Sequence, residues 1–522
     1  MPGVVKSSLS LSQSIQIDLL KPAIACILAL LSCNSLDTEA GSKNARMQVV
    51  VKSLHLTPPK TGESPYHYVP FQVPSGAFQI NISYDYDHAN GSNVLDIGLF
   101  DSRSSQRAGD VTGFRGWSGG RRSEFFISRT AATPGYLPGE FPAGTWRIIL
   151  GLYRVVPEGV DVSFKINIET TGTGLMNERS SAQPFAVSPG SRFVTAVEPK
   201  TVAAARTSRR WIAGDLHMHT VNSDGDWTVP QLMDAARNAG LDFICITDHN
   251  TFSHHAEIDR LNSRPDDLIV MRGEEITTYG GHANAWGLPA NALIDFRVSP
   301  GDQEAMKRIA SETHRRGALI SINHPFASCA GCNWSYDQEA NGFDAIEVWN
   351  GAWDTGDEQA LALWDKLLQK GRRVTAIASS DSHRPANPIG QAATHVAIGR
   401  LSVAAILMSI RAGRVYLTNM ATSPTMTFTA QRLSDRRTYA IGDIIRLAGP
   451  QRFRFRLGAE GSASATVSLI AQGRVIRTFP ADTGAQSVEV VAARDTYFRA
   501  EVRDQNGRML AMTNPIYVEI RH

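Results

Sequence analysis

The pattern of hydrophobic and polar positions divides the chain into regions of different secondary structure. Residues 45–187 contain short runs of alternating apolar and polar residues between clusters of turn residues, which predicts an all-β sandwich. Within it, the glycine-rich segment GFRGWSGG is a predicted irregular loop. Residues 188–210 have no strand or helix period over most of their length and form a predicted linker. In residues 211–424 apolar runs alternate with helical patterns, which favours βαβ units and a parallel sheet or barrel. Three of these helical patterns are predicted to start at Thr228, Asp302 and Ser402. Residues 425–522 return to strand patterns and predict a second β-sandwich.

The first 40 residues have a different character. Pro22 to Cys33 form a short apolar run after Lys21 and before small polar residues, a pattern typical of a signal peptide. The segment Leu-Leu-Ser-Cys that ends at Cys33 also resembles a bacterial lipobox, in which the cysteine is lipidated. The sequence therefore predicts an exported protein that is periplasmic, secreted or anchored to a membrane by lipid on Cys33. The alternative is an amphipathic or disordered leader.

Composition narrows the classes of partner. The chain has 52 Lys and Arg against 50 Asp and Glu, so it lacks the global positive charge of a dedicated nucleic-acid-binding protein. Cys329 and Cys332 form a lone CxxC, which is too small for a structural zinc site. We expect a local disulfide between them in an exported protein, and two free thiols in a cytosolic one.

The candidate chemistry lies just past the carboxyl ends of the predicted central strands, which in a parallel barrel face the same mouth. In an extended HxH segment both imidazoles point to one side and can bind the same ion. Imidazoles and carboxylates without thiolates suit Zn²⁺, Mn²⁺ or Fe²⁺. Nine candidate ligands exceed the need of one ion, so we expect two or three divalent ions that share a bridging carboxylate. The nine are His217, His219, Asp224, His249, Glu275, His282, His324, Asp381 and His383.

Six short motifs resemble those of the PHP (polymerase and histidinol phosphatase) family of metal-dependent hydrolases. They are DLHMHT, SDG, TDHN, GEEIT, NHP and SSDSH. The resemblance implies an α/β fold, a distorted (β/α)₇ barrel, flanked here by the two predicted sandwiches. The segments GFRGWSGG and ATPGYLPG with GTW, and the C-terminal β-region, further resemble the CehA/McbA subgroup, which includes carbaryl hydrolases.

The resemblance also implies how three ions would share the candidates. The three groups are His217, His219, Glu275 and Asp381; Glu275, His282 and His324; and Asp224, His249 and His383. Glu274 competes with Glu275 for the bridging position, and the family-like ending Glu275-Ile-Thr favours Glu275. His282 lies closer to the glutamate along the chain than is usual in the family.

These residues predict hydrolysis by a metal-activated water. Glu275 and Asp381 would act through the ions. Asp215 and Asp248 would each hydrogen-bond a ligand histidine or cap a turn, and Arg384 would hold a substrate anion or form a loop salt bridge. We expect a small phosphate ester as substrate, with a carbamate or carboxylic ester as the alternative. A non-catalytic, metal-bearing binding protein is the third hypothesis, and a homo-oligomer stays open.

Overall fold

The computed structural model describes residues 45–522 with the exception of 61, 172–209, 263–267, 330 and 521–522. The predicted leader and most of the predicted linker lie outside the described residues. The chain from Ala45 to His522 forms one unit, so the predicted domain boundaries stay predictions. No helix among the described residues is long and apolar enough to span a membrane.

The N-terminal region contains two four-stranded antiparallel sheets, ordered β1-β8-β3-β6 and β2-β7-β4-β5. The strands are β1 (Ala45–Leu56), β2 (Tyr66–Val73), β3 (Ala77–Tyr86), β4 (Val94–Phe100), β5 (Phe114–Gly119), β6 (Glu124–Ser128), β7 (Gly144–Arg154) and β8 (Val160–Thr171). Ile80 and Phe164 from one sheet share a buried cluster with Phe71, Ile97 and Trp146 from the other. The glycine-rich GFRGWSGG segment, expected as an irregular loop, includes strand β5, which pairs with β4.

The central region combines strands with five described helices. Its strands are β9 (Arg210–Asp215), β10 (Phe243–Ile246), β11 (Ile269–Thr278), β12 (Gly281–Trp286), β13 (Leu319–Ile322), β14 (Ala345–Asn350), β15 (Thr375–Ser379), β16 (Gln391–Ile398) and β17 (Val415–Met420). The helices are α1 (Val229–Asn238), α2 (His255–Asn262), α3 (Gln303–Arg315), α4 (Thr355–Gln369) and α5 (Val403–Arg411). Polar residues cap three of the helix starts that the sequence predicts: the side chains of Thr228, Asp302 and Ser402 accept backbone N–H groups.

The strand order does not confirm the expected distorted (β/α)₇ barrel. The central strands form an open run, β15-β14-β13-β12-β11-β10-β9-β16-β17, and no described ladder joins β15 to β16. Between these two strands the Thr394 hydroxyl, instead of a second backbone, bonds with the N–H and C=O of Ala378. Moreover, β12 follows β11 in a hairpin and pairs antiparallel with both β11 and β13, so the strict strand–helix repeat is broken. The fold is α/β, with a mixed sheet.

The C-terminal region continues the central sheet. Its strands are β18 (Thr425–Arg432), β19 (Thr438–Ala440), β20 (Ile444–Leu447), β21 (Gln451–Glu460), β22 (Thr466–Ala471), β23 (Arg474–Pro480), β24 (Gln486–Ala492), β25 (Thr496–Arg503), β26 (Met509–Thr513) and β27 (Ile516–Ile520). Strands β19-β18-β21-β24 form a separate sheet, whereas β26 pairs with β17 and extends the central sheet through β25, β22 and β23. Backbone hydrogen bonding therefore crosses the boundary predicted at residue 424.

Candidate metal centre

Glu275 lies at the centre of the histidine cluster. Its Oε1 atom is 3.1 Å from His217 Nε2, 3.2 Å from His282 Nδ1 and 3.4 Å from His324 Nε2. Its Oε2 atom is 2.7 Å from His249 Nδ1. Both oxygens of one carboxylate thus contact imidazoles from four different segments, which is the arrangement that a bridging ligand requires.

Two further carboxylates extend the cluster. Asp381 Oδ1 lies 3.0 Å from His219 Nε2 and 3.3 Å from His217 Nε2. Asp224 Oδ1 lies 3.3 Å from His383 Nε2, and it is also 3.4 Å from a second imidazole, that of His249. The structure therefore brings all nine predicted candidates together, while their roles as ligands stay predictions.

Local backbone geometry explains how segments that are distant in sequence direct their side chains into the same cluster. His217 and His219 follow β9, and Asp381 follows β15. In the β11–β12 hairpin Thr277 pairs with His282, so His282 and Glu275 share a face of the sheet despite their short separation in the chain. His324 and Asp381 have positive φ angles of 23° and 51°, a conformation that costs non-glycine residues of the order of 1–3 kcal/mol and clusters at functional sites.

The buried polar atoms of the cluster fit a bound cation. Several of them lack a hydrogen-bonding partner in suitable geometry, although oppositely charged groups are near. They are His217 Nε2, His219 Nδ1, Asp224 Oδ1, Glu275 Oε2, His282 Nδ1 and His324 Nδ1. Since buried polar groups are normally satisfied, so many unpaired nitrogen and oxygen atoms among the residues of one cluster fit a site for a cation.

Four overlapping groups have ligand atoms within 4.8 Å of one another. They are His219, Asp224, His249 and His383; His217, His219 and Asp381; Glu275, His282 and His324; and His217, His324 and Glu347. The first three groups resemble the three sets implied by the sequence motifs. Imidazole and carboxylate donors without thiolate fit Zn²⁺, Mn²⁺ or Fe²⁺.

The charges inside the cluster compensate one another. Burial raises the pKa of Glu275, but His217 and His249 outweigh it and hold that pKa well below its usual value. Burial lowers the pKa of His249, while Asp224 and Glu275 raise it to about 10. Burial, together with the neighbouring imidazoles, lowers the pKa of His219 to about 4. An incoming cation would displace protons from such a set, so its affinity should fall at lower pH.

Glu347 was missed by the sequence reasoning. It lies on β14 and is 1% exposed. Its Oε1 atom is 3.1 Å from His217 Nδ1, and its Oε2 atom accepts the His324 N–H at 2.9 Å. The available signal was a carboxylate in the apolar run Ala-Ile-Glu-Val-Trp, because buried parallel strands are almost wholly apolar. Asn323, a second omission, donates from Nδ2 to Glu275 Oε1 at 2.9 Å.

Two predicted partners of the ligand histidines have other contacts. Asp248 accepts the Thr220 N–H at 2.6 Å and the Ser223 hydroxyl at 2.6 Å, and lies 3.0 Å from His254 Nδ1. Asp215 accepts backbone N–H groups, such as that of Gly390 at 3.0 Å, and so follows the alternative of capping a turn. Asp248 likewise follows the alternative of capping a turn, because its carboxylate accepts hydrogen bonds within the loop after β9. The contact with a candidate ligand histidine that was expected of Asp248 is made by Glu347, which lies beside the ring of His217.

Arg384, which was predicted to hold a substrate anion, does not line the cavity over the cluster. It follows His383 in the chain, but its side chain is exposed and is absent from the cavity lining. The arginine that lines the cavity is Arg121, from the loop after β5, and its guanidinium forms a 2.6 Å ion pair with Asp226. Sequence proximity favoured Arg384, whereas Arg121 is brought in from the N-terminal region.

A cavity of about 580 Å³ opens over the cluster. Cluster residues, including Glu275 and Asp381, form its floor. Trp117, Tyr153 and other side chains of the N-terminal sheets form an opposing wall. Cys329 and Cys332 line the same cavity and are joined by a disulfide. The N-terminal region thus contributes directly to the site.

Comparison with family models identifies the region that carries the cluster. Residues 215–320 match the PHP domain. Residues 369–415 match the PHP-associated family. All nine candidates except His324 lie within these two matches. The PHP domain resemblance in the sequence is therefore confirmed, whereas the CehA/McbA subgroup is not.

Relatives of known sequence or structure share parts of the chain. The DNA polymerase/3′-5′ exonuclease PolX of Bacillus subtilis is 31% identical over 78 residues, which cover 12% of this chain and 14% of that protein. A two-domain protein of Bacteroides vulgatus, described as containing a predicted PHP-like metal-dependent phosphoesterase, is 18% identical, with 59% of this chain and 96% of that one covered and a TM-score of 0.35. An amidohydrolase of Chromobacterium violaceum, solved with sulfate and no metal, is 15% identical, with 39% and 96% covered and a TM-score of 0.26.

Proposed function

We propose that this protein is a metal-dependent hydrolase that acts on phosphate esters. The observation that carries the proposal is the set of four overlapping His, Asp and Glu groups on the floor of a cavity large enough for a small substrate. When bound, two or three divalent ions supply an activated water and stabilise the charge that develops on the substrate oxygens. The match to the PHP domain supports this reaction class.

The chain's own residues then have distinct tasks. Glu275 holds several imidazoles in one place, and Glu347 fixes the ring of His217 from the opposite side. Arg121 lines the cavity and presents a guanidinium to an anionic substrate. The Bacillus subtilis relative is named as an exonuclease, and this supports including phosphodiesters among the substrates tested.

Metal removal tests the reaction class. Purified protein should contain about two or three equivalents of Zn, Mn or Fe per chain, and a strong chelator should abolish hydrolysis that added metal restores. Full activity in metal-free protein would contradict the proposal.

A second candidate function is the hydrolysis of carbamates or carboxylic esters, as the CehA/McbA resemblance implies. The cavity wall favours it, because Trp117, Tyr153 and Val94 present mainly aromatic and aliphatic surface to a substrate. The deciding measurement is kcat/KM for aryl phosphate mono- and diesters against an aryl N-methylcarbamate with the same leaving group. A preference of more than about tenfold for the carbamate, which equals ~1.4 kcal/mol, would make it the principal function.

We further propose export, with a mature N-terminus at lipidated Cys33 or near Ala40. The support is the apolar run that precedes Cys33 in the sequence. Mass spectrometry of protein from the native cell tests this, and an intact Met1 on soluble cytoplasmic protein would contradict it.

A further inference from the structure

One carboxyl group in the cavity is not part of the histidine cluster. Four of the described residues that line the cavity carry a carboxyl group: Asp96, Asp224, Glu275 and Asp381. The last three contact imidazoles of the cluster. Asp96 instead belongs to β4 of the N-terminal sheets, so it reaches the cavity from the opposing wall.

The Asp96 carboxyl group is held in a defined orientation. The Tyr279 hydroxyl donates to Asp96 Oδ2 at 2.6 Å, and the Gly120 N–H also bonds to the carboxyl group. The neighbouring strand leaves room for the tyrosine only because residue 151 is glycine: a Cβ atom there would lie 1.8 Å from the Tyr279 hydroxyl oxygen. Two hydrogen-bond donors therefore fix the orientation of a carboxyl group that lines the cavity.

Asp96 can carry a proton at a pH at which ordinary carboxyl groups cannot. Burial, and to a smaller extent the charge of Asp224, raise the pKa of Asp96 to about 6. Tyr279 and His249 act in the opposite direction. Tyr66 and Tyr153 also face Asp96, and burial raises the pKa of each. The Tyr279 and Tyr153 hydroxyl groups, which line the same wall, therefore hold their protons too tightly to release them near neutral pH.

We propose that Asp96 is the general acid that protonates the leaving group, an inference that rests on the proposed hydrolase function. As the oxygen of the attacking water bonds to the phosphorus or carbonyl carbon, the bond to the leaving oxygen breaks and its electron pair stays on that oxygen. The Asp96 carboxyl proton then adds to the leaving oxygen. The resulting carboxylate regains a proton from solvent, the attacking water releases one to solvent, and one water is consumed.

The leaving group of the substrate tests this role. Methyl phenyl phosphate and methyl p-nitrophenyl phosphate differ in how much their phenols need a proton to depart; if the carboxylic ester is the substrate, phenyl and p-nitrophenyl acetate form the matched pair. Asp96→Asn should lower kcat/KM about 100-fold for the phenyl ester and less than about threefold for the nitrophenyl ester. Equal losses on both esters would overturn the inference.

The control and the second variant separate catalysis from folding. Asp85→Asn changes an exposed carboxyl group on β3, in the other N-terminal sheet, and should leave both rates unchanged. Wild-type protein that hydrolyses neither ester of either pair after metal loading would overturn the proposed function and this inference with it. Hydrolysis by the wild type with no leaving-group effect in Asp96→Asn would overturn the role of Asp96 alone.

Tyr279 is a positioning residue in this scheme, and its variant gives a readout that a structural role would not. Its hydrogen bond lowers the pKa of Asp96, so Tyr279→Phe should raise that pKa. The limb of the pH profile of kcat/KM on which activity falls as Asp96 loses its proton should move to higher pH, and it should vanish in Asp96→Asn. An unmoved limb in Tyr279→Phe would contradict the inference even if Asp96→Asn failed to fold.

Discussion

Adjacent residues of one strand have opposite environments in this site. Glu275 faces the histidines, whereas Glu274 is buried on the other side and accepts the Ile294 N–H at 2.7 Å. Burial raises the pKa of Glu274 well above its usual value. Because successive side chains of a strand point to opposite faces, only one glutamate of the pair reaches the cluster. In the sequence, only the motif ending Glu275-Ile-Thr favoured Glu275 over Glu274. The strand geometry supports Glu275 as well.

The two glutamates should respond differently to the same substitution. Glu275→Gln removes a charge that several imidazoles share, so we expect about 100-fold lower kcat and a loss of bound metal. Glu274→Gln keeps an acceptor for the Ile294 N–H and should retain metal and most activity. Metal content by elemental analysis, measured beside kcat, checks both variants, and the opposite ranking would reverse the assignment.

Glu347 should act on metal affinity more than on the chemical step. Its contact with His217 Nδ1 leaves Nε2 of that ring directed at the cluster. Glu347→Gln should therefore weaken metal binding about 10- to 100-fold, with kcat at saturating metal within a few-fold of wild type. Titration of apoprotein with Zn²⁺ or Mn²⁺ measures the affinity. Unchanged affinity with a large loss of kcat would assign Glu347 a direct catalytic role.

Individual residues were predictable where local spacing determines their direction. The HxH segment and the motifs after β10 and β15 fix their side chains within a few residues, so all the candidates in them were found. Glu347 and Arg121 required knowledge of which strands and sheets are neighbours. Asp248 and Arg384 were chosen for their proximity in sequence to ligands, and local proximity does not say where a side chain points.

At the level of single elements, His395 on β16 has a buried and uncharged environment. It is 6% exposed, stacks on Tyr416 at 4.3 Å between ring centres, and its Nε2 atom lies 2.8 Å from the Thr418 hydroxyl. Burial lowers its pKa to about 4. Since burial is the cause of this shift, the neutral imidazole is the form that fits the fold.

Acidification should therefore destabilise the protein through His395. The pKa is about 6.5 in the unfolded chain and lower in the fold, so between pH 6.5 and pH 4 the unfolded chain binds more protons and stability falls as pH falls. The loss from this group reaches roughly 3 kcal/mol at pH 4. Urea unfolding at several pH values should give a shallower pH dependence for His395→Asn than for wild type.

The elements themselves were predicted unevenly. Helices with strong capping residues, such as α1 after Thr228, begin where the sequence indicates. Strand β5 was missed because glycines obscure its period, although the backbone pairs with β4. Closure of the barrel could not be predicted, since the sequence of an apolar strand does not state whether it pairs parallel or antiparallel. In the structure β12 and β16 both pair antiparallel with their neighbours, and this departs from the all-parallel strands of a (β/α) barrel.

In the molecule as a whole, the cavity over the histidine cluster depends on residues far apart in sequence. The Tyr66 hydroxyl donates to Phe296 O at 3.0 Å, and Arg122 donates to Val221 O at 2.7 Å, so the N-terminal sheets bind the loops that surround the cluster. The sequence predicts these sheets only as a flanking domain and assigns them no role in the site. Their contribution of a cavity wall follows from long-range packing, which local patterns do not encode.

Gly135 should be a sensitive point of this packing. It has a φ of 95°, and a Cβ atom there would lie 2.7 Å from two carbonyl oxygens, that of Trp117 on β5 and that of Asn222 in the loop that carries Asp224. Gly135→Ala should therefore lower the free energy of unfolding by at least about 1 kcal/mol more than Gly139→Ala, and should raise KM. Gly139 is the matched control, because it also has a positive φ, of 139°, but has nothing within 4 Å of its added Cβ atom. Denaturant unfolding and steady-state kinetics of the two variants separate the cost of backbone strain from that of displacing the site loop. Equal effects would mean that the close approach of Gly135 to Asn222 does not hold the site loop in place.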